Sequence, residues 1–433
     1  MDGDHEDLQT QATPQSTDTL LSMSEAELEW SKLKPDFLGL SPDKLYDLPA
    51  SLLDSATVDL RTALVDDSAN TTAPLYVSTS AELIEDNTPI KAISFLHESK
   101  ASQFVSSRDD DFVVVQKKAL VLCSLISDSC GFLVKARYQD SSPTESFKVT
   151  RFVVCLAPIQ ALFLVAAGKD GVVKVVNVEN PSHSYSLTGH RNTIRDLKPM
   201  DDSDFCFSCS DDLTIRLWNL RTRVQVAIFQ GILCHADSIT AIDLHHSQNV
   251  LVSAGLDRSV LLWTTESPIH AEKLLSKRWN SDFTSCYGVR CARKRFATRL
   301  ITQPVFVTYR VHSAGVTQVK FYHDLLVSQD STGQICVWQP NPARASCSFI
   351  LVHSLRPGNV TRFALSASLG LLSCVAKETQ EVLVWNLMDV VGTAVVSKKG
   401  KTGEMRVSEF AADGRTLVAG TKEGLIVRLD ATL

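Results

Sequence analysis

Gly189-His190 leading to Asp212-Leu213-Thr214-Ile215-Arg216-Leu217-Trp218-Asn219, and Cys234-His235 leading to Asp257-Arg258-Ser259-Val260-Leu261-Leu262-Trp263, are two copies of one unit within Leu187 to Thr264. In each copy the aspartate stands six residues before the tryptophan, and the two tryptophans are 45 residues apart. A repeat of this length is one supersecondary unit that cannot bury its apolar face alone and must stack on its neighbours. The His, the Asp, a Ser (Ser208 or Ser210, then Ser253) and the Trp can share hydrogen bonds. An imidazole bridges a carboxylate and a hydroxyl, and the indole N–H supplies the last donor. These residue types also invite a catalytic reading, but the set recurs once per repeat, as scaffolding does and active sites do not.

The period and the Asp-to-Trp spacing are those of WD40 repeats, each a four-stranded sheet in a ring. Working outward, blade one is expected from Pro89-Ile90-Lys91-Ala92-Ile93-Ser94-Phe95, Phe112-Val113-Val114-Val115 and Ala119-Leu120-Val121-Leu122. Blade two runs from Phe147 to Val178, with Asp170 six residues before Val176, so the Asp is kept where the Trp is replaced. The two copies above are blades three and four; blades five and six end at Trp338 and Trp385, and blade seven at Leu425-Ile426-Val427-Arg428-Leu429. Leu75-Tyr76-Val77-Ser78-Thr79 is expected to pair with blade seven and close the ring, which removes both exposed sheet edges. The fold class is therefore all-β, a seven-bladed WD40 β-propeller over residues 73–433. Its structural hydrogen-bond relay is expected at His190, Asp212, Trp218, His235, Asp257 and Trp263, with Asp170, Trp338 and Trp385 as partial copies.

From Trp263 to Trp338 the gap is 75 residues, about 30 more than a blade needs. An insertion is expected at about 266–308, between blades four and five. It holds Lys273, Lys277, Arg278, Arg290, Arg293, Lys294, Arg295 and Arg299 with Trp279, Phe283, Tyr287 and Phe296. Basic residues interleaved with aromatics can track a nucleic-acid backbone, and Arg293-Lys294-Arg295 also reads as a nuclear import patch. Long loops equally serve as solvated flaps or docking surfaces.

The net charge of −6 conceals an asymmetry: residues 1–72 carry 15 acidic and 4 basic side chains, which leaves the remainder mildly basic. That segment has little sustained apolar pattern and is expected to be an acidic, largely disordered tail. Two short helices are expected within it, one opening at the capping-box spacing Ser24-Glu25-Ala26-Glu27 and one after Ser41-Pro42-Asp43. The acidic first residues lack the apolar stretch of a secretory signal, and no apolar run approaches a membrane span, so an intracellular, soluble protein is expected. The 11 cysteines, mostly in strand-like runs, read as reduced, buried thiols. Cys206 and Cys209 lie three apart in a strand and point to opposite faces, and Cys286 and Cys291 have no second pair nearby; no metal and no cofactor is expected.

With the blades in order, residues 75 to 430 resemble the Extra sex combs / embryonic ectoderm development family, the WD40 subunit of Polycomb repressive complex 2. The most specific stretch is Ile215-Arg216-Leu217-Trp218-Asn219 with Thr222 and Val226-Ala227-Ile228-Phe229, supported by Ala167-Gly168-Lys169-Asp170-Gly171-Val172-Val173, the long insertion and Leu325-Leu326-Val327-Ser328. The resemblance implies a nuclear, non-catalytic scaffold subunit of a histone H3 lysine methyltransferase complex, acting in transcriptional silencing. Its implied partners are a SET-domain methyltransferase, whose helix lies under the propeller, the other Polycomb subunits, and a trimethylated histone H3 tail read by an aromatic cage at the top. In this chain the cage positions fall on Lys91, Lys148 and Asn359-Val360-Thr361, none of them aromatic. Ammonium groups beside a trimethylammonium replace cation–π attraction with repulsion. Arg362 and Arg406 match basic family positions near the channel mouth, which is therefore expected to be more positive than usual, with histone binding weakened. A generic WD40 adaptor in another complex, or nucleic-acid binding through the insertion, are the competing readings.

Overall fold

The computed structural model describes residues 75–83, 88–96, 110–126, 131–155, 161–201, 203–247, 249–265, 269, 298–340, 349–387, 393–396 and 403–432. The acidic segment 1–72 with its two expected helices, Cys286 and Cys291, and the Arg293-Lys294-Arg295 patch lie outside these residues.

The strands form seven sheets of at least four strands each. From axis to rim, blade one is Ala92–Phe95, Asp111–Val115, Ala119–Leu125 and Phe132–Gln139, and blade two is Phe147–Cys155, Ala161–Gly168, Val172–Asn177 and Tyr185–Thr188. Blade three is Ile194–Pro199, Phe205–Ser210, Ile215–Asn219 and Val224–Phe229; blade four is Ile239–Leu244, Val250–Gly255, Val260–Thr264 and Phe306–Thr308. Blade five is Val316–Tyr322, Leu325–Asp330, Ile335–Pro340 and Phe349–Leu355; blade six is Ala364–Ser366, Leu371–Val375, Val382–Asn386 and Thr393–Val396. Blade seven joins Met405–Phe410, Thr416–Thr421 and Leu425–Thr432 to Leu75–Leu83 from the other end of the propeller segment. Leu75 lies opposite Thr432 and Leu83 opposite Leu425, so the expected closing strand is present and four residues longer than its sequence signal.

The middle strands are buried on both faces, as in Val250–Gly255, because every sheet is sandwiched between two others. That is why they read as continuous Val/Leu/Ile/Ala runs without polar alternation. Seven apolar clusters result, one at each blade-to-blade junction. Phe207, Phe229, Leu251 and Trp263 join blades three and four; Val418 and Ile426 of blade seven pack on Ile93 and Phe112 of blade one. The last junction is what makes the object a closed ring. Each fully buried Leu, Val or Phe contributes roughly 1.5–3 kcal/mol, so the junctions dominate the stability.

One boundary differs from the sequence expectation. The insertion lies inside blade four and not between blades four and five. After Thr264 the chain departs, and at Arg299–Ile301 it adds a fifth, parallel strand to the rim of blade three, pairing Ala227 with Arg299 and Phe229 with Ile301. Only then does Phe306–Thr308 return to pair with Val260–Leu262 as the fourth strand of blade four. A three-residue rim strand carries neither the Asp nor the Trp that marks a blade, so spacing alone could not place it.

Candidate functional site

Two polar systems sit at the end of the ring where the innermost strands begin: the buried relays that brace it and the mouth of the central channel. In blade three His190 Nδ1 is 2.9 Å from Asp212 Oδ2 and its Nε2 is 2.7 Å from Ser208 Oγ, which also accepts Trp218 Nε1–H at 2.8 Å. Ser208 is thus the relay hydroxyl, and Ser210 instead donates to the Asn192 carbonyl. Blade four repeats this with His235, Asp257, Ser253 and Trp263 at 3.2, 2.8 and 2.9 Å. Gly189 precedes His190 because a Cβ there would lie 2.8 Å from the Trp218 ring. Burial opposes ionisation of Asp212, but hydrogen bonds from His190, Thr214 and the Arg191 amide hold its carboxyl well below the usual carboxylate range. Burial lowers the His190 pKa against the pull of Asp212. The polar atoms are engaged with one another, and Ser208 and Ser253 are fully buried, so the set braces the turn.

The partial copies diverge. Trp338 belongs to a complete third relay: its Nε1 donates to Ser328 at 2.9 Å, and His312 bridges Ser328 at 2.6 Å and Asp330 at 3.3 Å. Here the carboxylate stands eight residues before the Trp, at the end of its strand, and Thr332 occupies the place that Asp212 holds in blade three. His312, Ser328 and Asp330 escaped the sequence reading for that reason, although the Ser-to-Trp spacing of ten is unchanged. Asp170 keeps its turn, but its partner is Ser142 Oγ at 2.7 Å and not a histidine. Trp385 corrects the expectation: its indole nitrogen is buried without a hydrogen-bond partner, because the relay-serine place, opposite Leu383, is held by Cys374, whose thiol is only a weak acceptor.

The mouth is shaped by β-bulges. The register shifts by one residue near the start of the innermost strand in blades two, three, four, five and seven, at Lys148, Arg195, Thr240, Thr317 and Arg406. A bulge re-aims a side chain, and this sets five residues around the mouth. Arg195 is held by Asp211 at 2.7 Å and Arg406 by Glu404 at 3.3 Å, while Thr240 and Thr317 bond to carbonyls. Lys148 is exposed and has no carboxylate partner among the described residues. Beside it Lys91 donates to Ser146 Oγ, and burial together with Lys148 and Lys117 lowers its pKa to about 8.

Of the five residues at the implied cage, only Lys91 and Lys148 line the central cavity, which has a volume of about 840 Å³. Asn359 is exposed and accepts from Lys377; Val360 is buried; Thr361 is buried and accepts from the Val375 amide. Phe147 and Phe95 are buried in the junctions on either side of blade one and offer no ring to the mouth. Lys91, Lys117 and Lys148 have no carboxylate partner among the described residues. Arg406 is paired, and Arg362 reaches across the channel from blade six to the Thr240 carbonyl in blade four at 3.1 Å.

Deeper in, ion pairs staple successive blades. Arg151 meets Asp196 at 3.0 Å and Lys198 meets Asp243 at 2.6 Å. The second oxygens of Asp196 and Asp243 accept the backbone amides of Ile242 and Phe321 in the next blade. Gln318 continues the ladder to the Phe363 carbonyl at 2.7 Å. Sequence reasoning missed this ladder, since single charged residues on innermost strands carry no spacing signal.

At the opposite end, His245, His246 and Asp324 bring ligand atoms within 4.8 Å of one another. Both His245 nitrogens are already engaged, one with Ser247 and one with Asp324, so the group ties blade four to blade five. Cys206 faces blade two and Cys209 blade four, in agreement with the reading that they cannot share a metal.

A family model described as WD domain, G-beta repeat matches residues 181–219 and 226–264, each taking in rim-strand residues of one blade and the three inner strands of the next, blades three and four respectively. The chain is 25% identical over 356 residues to Polycomb group protein FIE1 of Zea mays, covering 79% of this chain and 72% of that protein. It is 29% identical over 224 residues to Polycomb protein esc of Drosophila melanogaster, covering 49% of this chain and 51% of that protein. Among solved structures it is similar to a chain of the Chaetomium thermophilum Polycomb Repressive Complex 2, with a TM-score of 0.64 and 16% identity over 82% of this chain and 98% of that one. At that identity the structural likeness speaks to the fold.

Proposed function

We propose that this chain is a divergent member of the Extra sex combs / embryonic ectoderm development family and the non-catalytic WD40 scaffold subunit of a Polycomb repressive complex 2-like histone H3 lysine methyltransferase complex, acting in the nucleus on transcriptional silencing. The observation that carries the reading is similarity to Polycomb group proteins along about four fifths of the chain, in a ring whose His/Asp/Ser sets are all consumed in bracing. A closed ring is stiff, so a partner helix meets a preformed surface and loses less entropy on docking. The SET-domain methyltransferase supplies the chemistry; this chain supplies the platform.

Methyl-lysine reading at the family's cage is lost here. A quaternary ammonium needs several aromatic faces, and Lys91 and Lys148 oppose it with charge of the same sign.

Affinity purification of the tagged full-length chain from nuclear extract tests the assignment. A SET-domain methyltransferase and other Polycomb subunits are expected to co-elute; recovery of ubiquitin-ligase or trafficking subunits in their place would make the chain a general adaptor.

A further inference from the structure

Lys91, Lys117 and Lys148 meet at one corner of the mouth, between blades one and two. Two backbone hydrogen bonds fix the corner: the Lys91 amide donates to the Val115 carbonyl at 2.8 Å, and the Phe147 amide to the Lys117 carbonyl at 2.9 Å. Several other cations around this end are matched with carboxylates: Lys174 with Asp140, Arg195 with Asp211, Arg406 and Lys422 with Glu404. None of the three corner lysines has such a partner among the described residues. The nearest acid, Glu145, is fully buried; one oxygen accepts the Ser146 amide and the other lies 3.9 Å from Lys174. Burial raises the Glu145 pKa, and its pull on Lys91 is the smallest of the named influences there, behind burial, Lys148 and Lys117. Crowded like charges are costly, and in Lys91 the cost is visible as a pKa lowered to about 8 by burial, Lys148 and Lys117. Uncompensated charge held at a concave mouth points to a ligand of opposite sign.

We propose that this corner is a binding site for a phosphorylated side chain of a peptide entering the channel mouth. Three ammonium groups, each with several donors, match a phosphate monoester, which carries nearly two negative charges and three acceptor oxygens; a single carboxylate would leave most of the charge unanswered. The concave cavity favours one projecting side chain over a nucleic-acid backbone. A backbone needs a track of free cations, and Arg195, Arg406 and Lys422 are already engaged. Lys148, on its bulge, and exposed Lys117 reach the phosphate first; half-buried Lys91 meets it from within the cavity. The site uses the position where the family's cage would stand and selects the opposite charge. It is independent of methyltransferase assembly, so either assignment can fail without the other.

The test is a fluorescence anisotropy titration of the full-length chain with a labelled nine-residue Gly/Ser peptide bearing one central phosphoserine. Parallel titrations use the same peptide with serine or trimethyl-lysine at that place, and a single-stranded oligonucleotide. The phosphopeptide is expected to bind at least about tenfold more tightly than the serine peptide. Lys91→Met and Lys148→Met should each weaken it about fivefold or more, with Lys422→Met on blade seven leaving it unchanged. Lys148→Gln repeats the Lys148 arm with a polar side chain, and circular dichroism checks that each variant is folded. Equal binding of the phosphoserine and serine peptides, affinity that survives Lys91→Met and Lys148→Met together, or lysine-dependent binding of the oligonucleotide without the phosphopeptide would each overturn the proposal.

Discussion

Blades three to five and the corner between blades one and two handle buried charge in opposite ways. In blades three to five every His, Asp, Ser and Trp of the relay is satisfied by another member, and the carboxylates are held strongly ionised by their neighbours. At the corner three lysines crowd together with little compensation. The first arrangement stabilises the ring and the second weakens it. Strain that the surrounding structure tolerates and does not relieve is the usual mark of a surface kept for binding. The same contrast appears on a smaller scale in blade six, where Trp385 keeps the bulk of the relay tryptophan without its hydrogen bond.

The comparison breaks most visibly at Ser208. Ser208→Ala removes the hydroxyl that bridges His190 and Trp218 and leaves two buried groups unpaired, a loss of about 2–4 kcal/mol in denaturant unfolding. Trp218→Phe should cost about 1–2 kcal/mol more than Trp385→Phe, since the rings are both buried but only one indole N–H is bonded. Equal losses would mean that the tryptophans act by volume alone.

Acid should sharpen the contrast next. The folded-state pKa of His190 lies below its unfolded value, so the unfolded chain binds more protons and stability falls as pH drops through about 6.5. The depressed carboxyls of Asp212, Asp257 and Asp330 add stability that is fully present above about pH 4 and is lost as pH falls through their lower folded values. Thermal melts between pH 7 and pH 3 should show this loss, reduced in Ser208→Ala.

The smallest effect has the opposite sign. Burial and its lysine neighbours bring the folded Lys91 pKa to about 8, from 10.5 for the free side chain, so its burden is fully present below pH 8 and is relieved as pH rises from there to 10.5. Lys91→Met should therefore stabilise the protein by about 1 kcal/mol at pH 7, a figure already discounted for solvent screening, with the advantage shrinking by pH 10. A destabilised variant would show that Lys91 is a structural prop and would weaken the corner as a site.

Most of the ring was legible because its signals are local and periodic. Asp-to-Trp spacing located blades three and four, and β-branched runs located the rest. What escaped was non-local or non-periodic. Phe306–Thr308 joins its blade across the whole insertion, Asp330 serves its relay from a shifted position, and the Arg151–Asp196 and Lys198–Asp243 ladder depends on neighbouring strands no spacing rule connects. The bulge at Lys148 was equally invisible, although the lysine itself stood out as a cation where an aromatic ring was implied.

The platform claim is tested most directly by reconstitution on histone H3 with the SET-domain methyltransferase that co-purifies. The full-length chain alone should transfer no methyl groups, and adding it to the methyltransferase should raise H3 lysine methylation and yield a stable complex on gel filtration. Methyl transfer by the chain alone, or a methyltransferase that neither binds it nor responds to it, would contradict the account.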